Sequence, residues 1–299
     1  MFNLEKLLPI NPTINFLKLR KIMIIFSILA IIFSLIFLFI KGLNLGIDFK
    51  GGILIESKIK NITISELRSV LNKNFDDVTI QEFGSSDNLI IRLQNKENLD
   101  NTVIVNNVKN LIQEYVVEFR RSEYVGPTIS KELFYNGLKA ISLALFFILI
   151  YIWFRFEWHF GLGAIIALIH DVFITLGILC ILSIDFNLSS IAAILTIVGY
   201  SLNDTVVIYD RVRENLRKYK KMNLLELFNV SLNNTFSRTV MTSITTLLAL
   251  FSLFIFGGEV IRSFSFTMII GVIIGTYSSI FIAVPSLLLF KFRPIDEEE

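Results

Sequence analysis

The chain has 299 residues, of which 54% are hydrophobic and 18% charged, and carries a net charge of +2 at pH 7. A mean hydropathy of +0.66 is far above that of an ordinary soluble domain and marks an integral membrane protein. The near-balanced charge gives no footprint for nucleic acid, and the lone Cys180 excludes an intrachain disulfide or a cysteine-paired metal site.

Residues 1–21 place Lys6, Lys18, Arg20 and Lys21 ahead of the first apolar run and read as a cytoplasmic segment. The run itself, residues 22–41, has no small-residue cleavage site in its bulky Ile28–Ile40 stretch, so it reads as an uncleaved anchor.

Residues 42–132 have the size of a small domain and a legible order of elements. ILIESKI (53–59) alternates like a strand, and TISELRSVLNKNF (63–75) reads as a helix capped by Thr63 with Glu66 completing a capping box. VTIQEF, a turn at GSSDN (84–88) and LIIRLQ make a hairpin, LDNTVIVNNVKNLIQEY a second helix, and VVEFRRSEYVGP a last strand stopped by Pro127. The order β-α-β-β-α-β is the split βαβ, ferredoxin-like arrangement, a fold that hosts many functions. It contains no nucleophile with a base beside it, no phosphate loop and no metal-ligand cluster, so neither enzyme chemistry nor a cofactor is expected. The flanking stretches GIDFKGG (46–52) and VGPTISKEL (125–133) put Gly51, Gly52, Gly126 and Pro127 either in tight turns or in a hinge for the outer domain.

Residues 133–291 hold five further spans, near 134–154, 160–184, 186–209, 238–256 and 264–290, each long enough for a core about 30 Å thick. The connection at 210–237 contains Arg211, Arg213, Arg217, Lys218, Lys220 and Lys221, whereas SIDFN (183–187) has no basic residue. That asymmetry puts the connection, the N-terminal segment and the tail (292–299, after Lys291) in the cytoplasm, with 42–132 outside.

Ionisable residues inside the membrane are few. His170 and Asp171 lie near the middle of the third span, Asp204 in the cytoplasmic half of the fourth, and Arg238 at the start of the fifth. Arg238, Thr242 and Thr246 fall on one helix face, a polar stripe expected to look into the bundle or a wet cavity. These residues either staple helices together or carry ions. An intramembrane carboxylate costs a few kcal/mol at the least, which favours function for Asp204 and Asp171. Movement of Arg238 away from or toward Asp204 would load and release a proton. One charge crossing 100 mV supplies about 2.3 kcal/mol, a bias of about fiftyfold on a two-state motion.

GIDFKGG, VGPTISKEL, FEWHFGLGAIIALIHD (156–171), VGYSLNDTVVIYDRVREN (198–215), SRTVMTSITTLLAL (237–250) and LFIFGGEVIRSF (253–264) follow one another over nearly the whole chain. Together they resemble the signature blocks of the SecF family of bacterial protein-export membrane proteins. The resemblance implies a six-helix half of a resistance-nodulation-division bundle with one ferredoxin-like outer domain, in the bacterial inner membrane. It implies SecD, the SecYEG translocon, an exported unfolded polypeptide and membrane lipid as partners, with YajC a further candidate and no nucleic acid. It also implies that H⁺ drives late export without nucleotide hydrolysis here. Asp204, in the family's N-D pair with Asn203, and Arg238 fall on its coupling residues, and Asp171 falls on its H-D pair beside His170. The competing readings are a small-molecule or ion exporter of the same superfamily and a structural scaffold of the translocon.

Overall fold

The computed structural model describes residues 13–75, 78–83, 85–93, 101–257 and 259–290. Lys6, most of the N-terminal segment and the tail at 292–299 lie outside the described residues. Two compact units are present, one built from Leu45–Lys139 and the other from the rest of the chain.

The 45–139 unit is a four-stranded sheet with two helices. Its strands are β1 (Gly52–Ile59), β2 (Thr79–Phe83), β3 (Ser85–Leu93) and β4 (Val116–Val125), in the spatial order β2-β3-β1-β4 with every neighbour antiparallel. Inward positions alternate as a half-buried strand requires: Ile53 and Ile55 on β1 and Leu89 and Ile91 on β3 are all 0% exposed. They meet Leu67 and Leu71 of one helix, Ile64–Asn72, and Ile104, Val108 and Ile112 of the other, Asn101–Ile112. Thr63 caps the first of these helices. Glu66 accepts from the Thr63 backbone N–H at 2.9 Å, and that bond, with the one from the Thr63 hydroxyl, holds its carboxyl below the usual range.

Two expectations here are corrected. The hairpin turn does not occupy GSSDN, because β3 already begins at Ser85 and Asn88 pairs with Lys58 of β1. Pro127 does not close a turn but opens a helix, where its missing N–H costs nothing. Edge strand β4 carries two register shifts and the charges of Glu118, Arg120, Arg121 and Glu123, devices that discourage pairing with a further strand.

Six helices among the described residues are long and apolar enough to cross a membrane. With the short helix Ile47–Lys50 as α2 and those above as α3 and α4, they are α1 (Arg20–Ile40), α5 (Pro127–Arg155), α6 (Trp158–Ile181), α7 (Leu188–Lys218), α8 (Leu224–Phe256) and α9 (Glu259–Ser278). The last continues through a π turn, Ser279–Ala283, into α10 (Val284–Leu287). Pro285 accounts for that turn: it lacks an N–H and its ring crowds the carbonyl four residues back, so the ladder widens. The basic connection expected at 210–237 is almost wholly helix. Only Tyr219–Asn223 separates α7 from α8, since charged residues outside the bilayer lose little by staying helical.

α7 packs closely on α9 because small residues recur every fourth position, at Gly271 and Gly275 of α9 and at Ser279, which opens the π turn. A Cβ on Gly275 would lie 3.0 Å from the Ser201 Cβ, and one on Gly271 would overlap the Ile197 side chain. Gly271→Leu is therefore expected to separate the two helices at a cost of about 1–3 kcal/mol, read as a lowered unfolding midpoint in detergent. An unchanged midpoint would show that this contact does not hold the bundle.

Candidate functional site

The seam between α6, α7 and α9 holds a cluster of buried polar groups. Asp171 on α6 is 0% exposed and His170 beside it 2%. The His170 Nδ1 lies 2.9 Å from Asp171 Oδ1, while Asp171 Oδ2 accepts from Ser201 Oγ of α7 at 2.5 Å and Ser278 Oγ of α9 at 2.8 Å. Every oxygen of this carboxylate is bonded. The next layer continues in hydroxyls, Thr205 Oγ1 being 3.1 Å from Ser279 Oγ at the start of the π turn. The carbonyl of Ala283, at the end of that turn, accepts from Tyr209 at 2.9 Å and Ser286 at 2.7 Å.

Asp204 lies on α7 between Ser201 and Thr205 and is 3% exposed, yet its Oδ2 has no hydrogen-bond partner. Arg238 of α8 is the charge that acts on it, from beyond salt-bridge reach, and the guanidinium itself is exposed. A purely stapling role would have closed this pair. It is open.

The polar stripe of α8 is a correction. Arg238 is exposed and Thr242 and Thr246 only half-buried, while the buried hydroxyls of α8 belong to Thr239 and Ser243. Thr242 tolerates its position by bonding the Arg238 carbonyl at 2.9 Å, the usual recourse of a hydroxyl on an exposed helix face. Asn203 is likewise exposed. The structure thus brings His170 and Asp171 together, buries Asp204 apart from them, and leaves Asn203 and Arg238 on uncovered surface. Gly51 (φ 73°) and Gly52 (φ 115°) need the freedom only glycine has, and Gly52 pairs with Val125 next to Gly126 and Pro127. All four residues named for a hinge therefore lie inside the 45–139 unit. The reading of the sequence missed Ser201, Thr205, Ser278 and Ser279. Two adjacent serines in an otherwise apolar run were the available signal for the last pair.

Residues 104–293 match the family profile described as "Protein export membrane protein SecD/SecF, C-terminal", and residues 36–56 match the "SecD/SecF GG Motif", which contains Gly51 and Gly52. The protein translocase subunit SecF of Rickettsia conorii is 46% identical over 98% of this chain and 97% of its own length, and that of Rickettsia rickettsii 45% over the same shares. The chain belongs to the SecF family. Among solved structures, SecDF of Thermus thermophilus, described as a translocon-associated membrane protein, matches with a TM-score of 0.86 and 35% identity over 95% of this chain. A second SecDF structure, in a super-membrane-facing form, matches with a TM-score of 0.70 and 34% identity over 94% of this chain. The chain spans 39% of the length of each SecDF protein. In SecF numbering of this chain, the GG motif is the pair of positive-φ glycines that opens β1, and the matched C-terminal region includes Asp171, Asp204 and Arg238.

Proposed function

We propose that this chain is the SecF subunit of a protein translocase and uses the proton gradient to promote late, nucleotide-independent export, with Asp204 as the carboxylate that takes up and releases the proton. The observation that carries the reading is the pairing of a buried, partnerless Asp204 oxygen with an exposed, unpaired Arg238 on the neighbouring helix. A carboxylate in an apolar interior needs either a proton or a cation, and the arrangement offers Asp204 each in turn. Neutralised by a proton, it can stay buried. Ionised, it is drawn toward the guanidinium, so α7 and α8 have a reason to move against each other when the proton comes or goes.

The partner follows from what is uncovered. Arg238 and Asn203 lie exposed on helices that cross the membrane, where lipid satisfies neither, so a second membrane protein is expected over that face. The length that SecDF has beyond this chain supports SecD as that protein and the SecYEG translocon as the place of assembly. YajC, lipid and the exported polypeptide are further expected contacts. The test is export into vesicles with and without a proton gradient, using complexes with and without this chain. Gradient stimulation that survives its removal would contradict the reading.

The basic residues of the α7–α8 region support a reading in which that end is in the cytoplasm of a bacterial inner membrane, with both termini inside and the sheet domain outside. A thiol reagent that cannot cross membranes should label Lys60→Cys in intact cells and label Lys218→Cys only after permeabilisation. The opposite pattern would reverse the orientation.

A further inference from the structure

The turn of α7 that carries Asp204 is held to α9 on both sides. Before it, Ser201 Oγ donates to Asp171 Oδ2 at 2.5 Å, and the same oxygen accepts from Ser278 of α9 at 2.8 Å. After it, Thr205 meets Ser279 at 3.1 Å. A single buried carboxylate on α6 therefore ties α6, α7 and α9 together within one turn of Asp204. His170, which completes the Asp171 set, stacks on Tyr277 of α9 at 5.9 Å between ring centroids, and Tyr277 donates to the Met23 carbonyl of α1 at 2.9 Å. The Asp204 Oδ2, buried on the same turn, makes no hydrogen bond.

We propose that Asp171 is a positioning residue, a latch that keeps α7 in the setting that buries Asp204 and must open before Asp204 gives up its proton. This rests on the reading of Asp204 as the titrating group. The geometry points to holding rather than carrying, because both oxygens of Asp171 are already occupied, whereas a carrier needs a free one. One of its bonds also ends on Ser278, the last residue of α9 before the π turn, where the ladder is already widened and a shift in register meets least resistance.

The latch has a measurable consequence. If Asp204 ionises only in the open setting, where it can meet Arg238, its apparent tendency to release the proton is reduced by the fraction of time the latch is open. Weakening the latch raises that fraction, so Asp204 releases its proton more readily and its midpoint moves to lower pH. One hydrogen bond to a charged group corresponds to about a tenfold change in that fraction, hence about one pH unit. Among the described residues, the titratable or charged groups near this turn on the elements packed against α7 are buried His170 and Asp171 on α6, half-buried Tyr277 on α9 and exposed Arg238 on α8. Of these it is Arg238 whose charge acts on Asp204. None is altered in the serine variants.

The experiment follows the reaction of Asp204 with a hydrophobic carbodiimide, which modifies protonated carboxyl groups within membranes. Labelling is read by peptide mass spectrometry on the assembled complex across a pH series. Ser201→Ala is expected to lower the midpoint by about one pH unit, so labelling at the wild-type midpoint falls several-fold. Ser278→Ala should shift it less in the same direction, since its hydroxyl is shared with the Gly275 carbonyl at 3.1 Å. A merely structural role lowers the amount of complex and leaves the midpoint where it was. Wild-type midpoints in both variants, or an upward shift, would overturn the latch while leaving the Asp204 reading intact. Labelling of wild-type Asp204 with no pH midpoint would remove both.

Discussion

Asp204→Asn is expected to abolish the gradient-stimulated part of export while leaving the complex at wild-type amounts. The substitution keeps the size of the side chain and removes only the ionisable group. Because the wild-type Oδ2 already has no partner, the amide breaks no bond at that atom, and assembly has nothing there to lose. What disappears is the coupling: a proton falling through 100 mV can bias a two-state motion by about fiftyfold, and a residue that cannot ionise captures none of it. Comparing export in vesicles with and without a gradient, at matched amounts of complex, separates this from a stapling role. A staple would lower protein level and activity together.

Arg238→Lys should reduce gradient-dependent export about tenfold, again without loss of complex. Arg238 lies exposed and acts on Asp204 from beyond salt-bridge reach, so its task in this setting is to wait for an ionised carboxylate rather than to hold one. Its planar fork can later grip a carboxylate at two points, whereas an ammonium offers one compact charge that is strongly hydrated and costly to move through an apolar seam. Arg238→Gln, which removes the charge, should lose the gradient response altogether. Equal export by the lysine variant would show that any cation suffices and that the fork has no part. A fall in complex in step with export would instead make Arg238 a docking residue for the partner.

The six spans and the order of the outer domain were legible because each rests on local periodicity: alternation in ILIESKI, a capping box at Thr63 and Glu66, and long apolar runs. Asp171 and Asp204 were legible because a carboxylate in such a run has so few explanations. Helix ends were harder, since Arg211, Arg213 and Arg217 mark the bilayer edge without ending α7. The face of α8 was harder still. Hydropathy placed Arg238, Thr242 and Thr246 on one stripe but could not show that Thr239 and Ser243, a fraction of a turn away, are the residues that α8 buries. The clamp on Asp171 was invisible for a related reason. Ser201 and Ser278 are separated by 77 positions, and only the close approach of α7 to α9 at Gly271 and Gly275 makes them neighbours.

The central claim is that Asp204 changes its protonation state. Infrared difference spectroscopy of the membrane-embedded complex, taken between high and low pH, detects the carbonyl stretch of a protonated carboxyl directly. A carboxyl band that appears on acidification in the wild type and is missing in Asp204→Asn is the expected result. The same band at full strength in Asp204→Asn would contradict the account, because the proton would then be carried elsewhere.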